Sequence, residues 1–117
     1  MHNFRELKIW QESMELAKDI YKITKLFPDS EKFGLVSQMN RCAVSIPSNI
    51  SEGSARASKK EFVHFLNISL GSCFELETQL YLALSFGYLG IEKFNNVEQR
   101  IINIQKMISG FRKSINN

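Results

Sequence analysis

The 117-residue sequence predicts an all-α fold, an antiparallel up-down four-helix bundle forming a single domain over residues 1–117. Three observations carry that reading. Apolar residues recur at steps of three and four, strand-like alternation is absent, and the breaker residues cut the chain into four long pieces. Only Pro28 and Pro47 occur, and the punctuating glycines are Gly53, Gly87 and Gly90. The predicted helices are about residues 4–26, 30–53, 58–87 and 91–115, each roughly 30–45 Å long at the helical rise. Short links between rods of matched length make sequence neighbours antiparallel. A chain of this size buries one core without disulfides or metal.

The first helix opens at Asn3, with Glu6 three residues on in the spacing of a capping box. Its body carries two apolar seams. One is Leu7, Trp10, Met14, Ala17, Tyr21 and Thr24; the other, about 110° round, is Ile9, Ser13, Leu16, Ile20, Ile23 and Phe27. Lys8, Gln11, Glu12, Glu15, Lys18, Asp19, Lys22 and Lys25 fill the remaining arc. Pro28, Asp29 and Ser30 then supply a break and a capping oxygen for the second helix.

That second helix has an apolar line, Leu35, Met39, Cys42, Ile46 and Ile50, flanked by a line of hydrogen-bonding residues: Gln38, Arg41, Ser45, Ser48 or Asn49, Glu52 and Arg56. Wet helix faces are normally rich in Lys and Glu, whereas this one favours small hydroxyls and amides. With Ser72, Glu75, Glu77 and Gln79 of the third helix as partners, it reads as a polar network that fixes helix register or a subunit contact. Pro47 cannot donate to the Ala43 carbonyl, so a kink or re-satisfaction by neighbouring serines is expected, with a hinge or partner groove as the alternative.

The third helix opens on Ser58 with Glu61 in capping-box spacing and is doubly apolar. Phe62, Leu66, Ser69, Cys73, Leu76, Leu80 and Ala83 form one line; Val63, Leu70, Phe74, Tyr81, Leu84 and Tyr88 form another. Gly87 and Gly90 bracket the turn to the fourth helix. There Phe94, Val97, Ile101, Ile104, Ile108, Phe111 and Ile115 make one narrow seam, opposite Gln99, Arg100, Asn103, Lys106, Lys113 and Asn117. The double seams of the first and third helices exceed what one four-helix core hides. Burial against another copy of the chain resolves the excess; a thick monomer core is the alternative.

Hydrophobic residues make up 44% and charged residues 23% of the chain, and no apolar run approaches the ~20 residues that cross a bilayer, so no membrane partner is expected. The opening residues lack a basic segment followed by an apolar stretch, and a cytoplasmic location is expected. Cys42 and Cys73 fall on apolar stripes without C-x-x-C spacing and read as buried reduced thiols. His2 and His64 lie far apart, with no spacing that marks a metal triad, and His64 is expected to be exposed. No Gly-rich phosphate loop, nucleophile elbow or H-E-x-x-H is present, and Glu75 and Glu77 point apart on a helix. The expectation is a non-enzymatic protein with no catalytic residue, metal ligand or cofactor.

Several stretches resemble the four-helix bundle family named for open reading frames in 23S rRNA intervening sequences, also called the S23 ribosomal protein family. They are Phe4-Arg5-Glu6-Leu7-Lys8-Ile9-Trp10-Gln11, Phe27-Pro28-x-x-Glu31-x-Phe33-Gly34-Leu35, Gln38-x-x-Arg41, Ser45-Ile46-x-Ser48-Asn49-Ile50-x-Glu52-Gly53 and Gly71-Ser72-x-x-Glu75-Leu76-Glu77. The Ser45 to Gly53 run is the most specific, and the last helix matches in pattern only. The resemblance implies a left-handed bundle that assembles as a ring-shaped homo-oligomer, typically a homopentamer, with no catalytic residues to carry over. It also implies kinship with the accessory variability proteins of diversity-generating retroelements, which resemble pentameric barrels that bind nucleic acid and a reverse transcriptase.

The leading functional expectation is a homo-oligomeric binder of RNA or DNA, most naturally structured RNA. Lys18, Lys22 and Lys25 share one face of the first helix, and after Glu98 the chain has Arg100, Lys106, Arg112 and Lys113 without an acidic residue. In an up-down bundle the outer helices adjoin, which places Lys22 and Lys25 near Lys93 and Arg100. A ring would repeat that patch, although solvated lysines are the plain alternative at a net charge of +3. The aromatics mostly lie on apolar seams, so stacking platforms and sequence-specific recognition are not expected. The second expectation is a protein-interaction module. Its polar stripe (Gln38, Arg41, Ser45, Asn49, Glu52, Arg56, Ser72, Glu75) and the loop from Gly53 to Ser58 would dock a partner such as a polymerase. A selfish-element product without a host task is the third.

Overall fold

Each long apolar repeat forms a helix in the computed structural model, which describes residues 2–116. Met1 and Asn117, the latter assigned above to the wet face of the last helix, lie outside them. After a 3₁₀ turn at Phe4–Glu6 come α1 (Lys8–Thr24), a second 3₁₀ turn at Asp29–Glu31, α2 (Leu35–Ser54), α3 (Lys59–Ser85) and α4 (Ile91–Asn116). No strand occurs among the described residues.

Cross-helix hydrogen bonds fix the directions. Thr24 Oγ1 donates to Asn40 Oδ1 at 2.8 Å, Ser69 Oγ to the Ile46 carbonyl at 2.8 Å, and Gln105 Nε2 to Glu77 Oε1 at 2.8 Å. With Ser45 against Ser72 and Arg112 against Asn67, residue numbers fall on one helix as they rise on its neighbour, so α2 and α3, and α3 and α4, are antiparallel. α4 returns against α1, where Arg100 donates to Asp19. The bundle is therefore a square in chain order, with α1 and α3 on one diagonal and α2 and α4 on the other.

The inner seams are those expected. Ile9, Ser13, Leu16, Ile20, Ile23 and Phe27 are buried, as are all seven residues of the first α3 line. On α4, Phe94, Val97, Ile101, Ile104, Ile108 and Ile115 are buried and Phe111 is half-buried. Each fully buried Leu or Ile contributes about 1.5–3 kcal/mol, so these rows dominate stability. The buried hydroxyls cost little because each has a partner: Ser13 donates to the Trp10 carbonyl at 3.0 Å and Ser69 to that of Ile46.

Two helix starts differ from expectation. Asn3 caps the 3₁₀ turn through the Arg5 N–H at 3.2 Å, and α1 begins only after Leu7, whose extended backbone (φ −78°, ψ 124°) breaks the path. The break lets Leu7 pack on the core while the Phe4 ring meets the edge of Trp10 at 5.1 Å. The second helix starts at Leu35, not near residue 30: Gly34 is its N-cap residue and makes no side-chain cap bond, and Glu31, not Ser30, takes the first helical N–H. The Glu31 carboxylate accepts the Leu35 N–H at 3.0 Å and the Tyr88 hydroxyl at 2.8 Å, joining the first and last links of the bundle. By contrast Ser58 caps α3 as read, accepting the Glu61 N–H at 3.1 Å, and Gly87 adopts φ +79°, the left-handed turn that favours glycine. Pro47 is accommodated inside α2, which runs unbroken through it.

At Gly53 a Cβ would fall 2.7 Å from the Phe65 Cβ and 2.9 Å from Phe62 Cδ1, so the missing side chain lets α2 and α3 approach. An unhindered helical Gly→Ala change stabilises by about 0.5–1 kcal/mol, whereas overpacking costs about 1–3 kcal/mol. Gly53→Ala is expected to lower the urea midpoint; a raised midpoint would show that the crossing is loose. The two hydrogen bonds to Glu31, the Leu35 N–H first and the Tyr88 hydroxyl second, hold its carboxyl below the ordinary 4.5. The contribution of ionised Glu31 is thus complete above pH 4.5 and lost as pH falls through the lower folded value. Glu31→Ala should melt earlier than wild type at neutral pH, with the gap narrowing below pH 4.5. A gap independent of pH would refute the cap.

Candidate interaction surfaces

The polar stripe of α2 meets α3 in a notch of about 410 Å³. Ser45 Oγ and Ser72 Oγ lie 2.9 Å apart, and Asn49 Nδ2 donates to the Ser45 carbonyl at 2.8 Å and to its hydroxyl at 3.0 Å. The Cys42 thiol donates to the Ser72 carbonyl at 3.0 Å. Gln38, Arg41 and Glu75 stand exposed at the rim, and Arg41 has no ion-pair partner among the described residues. Glu52 and Arg56 do not join this network. They pair with each other at 3.0 Å on the open surface, an arrangement that contributes a few tenths of a kcal/mol.

Glu75 and Glu77 diverge as the helix geometry requires. Glu77 turns to α4 and accepts from Gln105, while Glu75 stays over the notch and takes a long 3.4 Å bond from Gln79. Gln79 is buried, and its Oε1 has no partner. Burial, and then the neighbouring Glu75 carboxylate, push the Cys42 thiol up to about 12; burial and then Cys42 do the same for Cys73. Both are protonated small apolar groups at neutral pH, the opposite of an activated nucleophile. No group of three or more His, Cys, Asp or Glu among the described residues is arranged to hold a metal ion. None of the helices is long and apolar enough to cross a membrane among those residues.

A second surface is a groove of about 580 Å³ between α1 and α2. Its floor is the first seam of α1 (Trp10, Met14, Ala17, Tyr21) with Val44 and Pro47 of α2, and Lys18, Lys22 and Lys25 stand on its rim. Tyr21 is 44% exposed, so this seam is only partly used by the protein's own core. The outer face of α3 is a third surface, where Phe74 is 54% and Tyr81 49% exposed, alongside Ile68 and Leu82. From Asn67 to Phe86 the chain holds no Lys or Arg, and Glu75 is the one exposed charge. The groove lies along the α1–α2 side of the square and this face lies on the α3 corner, so the two are distinct surfaces.

Residues of the expected basic patch line two hollows. Lys18, Lys22 and Lys25 line the α1–α2 groove, and Lys18 pairs with Glu15 at 2.8 Å. Arg100 and Lys106 lie instead in a notch between α1 and α4 with Lys8 and Glu12, and Arg100 is neutralised by Asp19. Arg112 donates to Asn67 at 2.7 Å across α3 and α4, and Lys93 and Lys113 are exposed on α4. His64 is exposed, as read, while His2 packs edge-on against Phe62 at 5.2 Å. Phe33 is the residue that pattern reading missed. It is 89% exposed at the mouth of the polar notch, with Lys32 Nζ 5.5 Å from its ring centroid. Its signals in the sequence are its place in the Phe27 to Leu35 stretch of the resemblance and its absence from every apolar seam.

The family profile described as 23S rRNA-intervening sequence protein matches residues 5–110, nearly the whole bundle. The chain belongs to that family. A comparison with curated proteins found no match. Among solved structures, the chain is similar to a protein of unknown function from the S23 ribosomal protein family of Bacteroides thetaiotaomicron VPI-5482. The two share 27% identity with a TM-score of 0.84, over 90% of this chain and 95% of that one. The span matched to the 23S rRNA-intervening sequence protein family takes in Ser45, which lines the notch, and Gly53, at the α2–α3 crossing.

Proposed function

We propose that this protein is a non-enzymatic scaffold whose left-handed bundles assemble into a closed homo-oligomeric ring, of the pentameric kind, and present basic residues to RNA or DNA. One observation carries the reading: two unlike apolar faces, the α1–α2 groove and the outer face of α3, stand exposed on different sides of the same bundle. A single self-complementary patch makes a two-fold dimer, whereas two different complementary faces join head to tail, into a ring where the rotation between copies closes and into an open filament where it does not. The charges agree with that pairing, since the groove has a lysine rim and the α3 face offers Glu75 and no cation. Copies stacked this way leave Lys93, Lys106 and Lys113 of α4 outside the contact, repeated around the ring, and phosphate binding there is steeply salt-dependent.

The groove also favours a second reading, in which its Trp10 and Tyr21 floor seats an apolar helix of a polymerase such as a reverse transcriptase. A Tyr21→Glu variant that keeps its oligomeric mass but loses such a partner would select it.

Mixing of two variants tests the ring directly. Tyr21→Glu spoils the groove and Phe74→Glu spoils the opposite face, so each alone is expected to be monomeric. Mixed, each still has one sound face, and a heterodimer should form; no heterodimer would rule out the head-to-tail contact. Lys93, Lys106 and Lys113 changed together to glutamate should lose RNA retention at low salt while keeping the oligomeric mass. Retention that ignores salt would contradict phosphate binding. Arg100 is kept out of that set because reversing it would set two carboxylates against each other at Asp19.

A further inference from the structure

The two ends of the bundle differ in charge. One end gathers the N-terminal segment, the link between α2 and α3 and the last turns of α4. There the His2 backbone N–H donates to the Ser54 carbonyl at 3.2 Å, and the rings of His2, Phe62 and Phe111 meet edge-on with centroids 5.2, 5.6 and 5.8 Å apart. Its residues 2–8, 52–64 and 109–116 hold seven Lys or Arg against three Glu. An equal number of residues, 22–35 and 85–98, makes the opposite end, which Glu31 and Tyr88 tie together, and holds four Lys against four acids. Two of the three Glu at the cationic end are already engaged: Glu52 pairs with Arg56, and Glu61 accepts the Ser58 hydroxyl at 3.3 Å. Lys8, Lys59, Lys60 and Lys113 are exposed and form no ion pair among the described residues. Lys59 and Lys60 stand in the first turn of α3, where the helix dipole disfavours cations, so the fold of the single chain gives no reason for them.

The bundle is 44 Å long, and at about 0.1 M salt a charge is screened over roughly 10 Å, so an approaching polyanion meets the charge of one end and not the net +3. We infer that nucleic acid docks on the end of the bundle built from the N-terminal segment, the α2–α3 link and the close of α4, with its phosphates on Lys8, Lys59, Lys60 and Lys113. This rests on the nucleic-acid reading above and narrows it to one end, which includes Lys113 of α4 and leaves out Lys93. The contacts proposed between copies run along the sides of the bundle, so the end stays open, and in a ring whose axis follows the helices the like ends share one face. An anionic membrane also offers phosphates, but docking on one uses exposed apolar side chains as well. The large exposed ones lie along the sides or at the opposite end, where Leu26, Phe33, Phe86 and Ile91 stand out.

The test titrates the full protein with a labelled RNA hairpin of about twenty nucleotides at several salt concentrations and compares charge reversals of equal size at the two ends. Lys59→Glu with Lys60→Glu should weaken binding by roughly tenfold or more near 0.1 M salt and lower the salt slope by about two, and Lys8→Glu with Lys113→Glu should do the same. Lys32→Glu with Lys93→Glu, at the far end, should stay within about twofold of wild type. None of these lysines lines the α1–α2 groove or the outer face of α3, so the solution mass should be unchanged in all three variants. The Lys59 and Lys60 reversals also place anions at a helix start, which favours the fold. An end pair that costs no more than the far pair would overturn the end face while leaving the wider proposal standing. Absence of salt-dependent binding by the wild type would sink both. Flotation with anionic phospholipid vesicles in place of RNA binding would assign the end to a membrane surface instead.

Discussion

The packing of α2 on α3 is the constraint from which the other surfaces follow. Ser69 reaches across to the Ile46 carbonyl beside Pro47, Ser45 meets Ser72, and Gly53 lets the backbones close on Phe62 and Phe65. These contacts are short-range and directional, so a slip of one helical turn would break several together and leave buried hydroxyls without partners. Apolar packing alone would tolerate such a slip better, because Leu and Ile rows are interchangeable to first order. The register held by this polar strip aligns Arg41 with Glu75, and it turns Phe74 and Tyr81 outward on α3.

That outward turn links the core to association. α1 and α3 each carry two apolar seams, but the square arrangement gives each helix only two neighbours, so the core takes up one seam and only part of the other. Trp10, Met14 and Tyr21 of that other α1 seam floor the lysine-rimmed groove, and Phe74 and Tyr81 of the other α3 line stand out on a face that also carries Glu75, while Val63, Leu70, Leu84 and Tyr88 pack against the core. Contacts between copies would extend the same hydrophobic burial that makes the bundle, which is why fold and assembly are continuous in this reading.

What the sequence made legible is what depends on residues close in the chain. The α4 seam is narrow and uninterrupted, so its buried face could be read residue by residue, and the Ser58 cap and the Gly87 turn follow from spacings of a few residues. The start of α2 could not be read this way. Its first N–H goes to Glu31, four residues before it, and the same carboxylate also holds Tyr88, 57 residues further on. The pairing of Arg100 with Asp19, 81 residues away, was out of reach of pattern reading for a related reason, as was the division of Lys22 and Lys106 between different hollows. In the polar stripe, Gln38, Arg41, Ser45, Ser72 and Glu75 do share one notch, whereas Glu52 and Arg56 satisfy each other at the next turns of the helix. Phe33 was invisible to periodicity because it belongs to none.

The central claim is that the second seams of α1 and α3 are covered by further copies of the chain. Light scattering from the purified wild-type protein across a wide concentration range tests it most directly. A mass several times the 13.5 kDa of one chain, constant on dilution, is the predicted result. A stable 13.5 kDa particle at high concentration would contradict it.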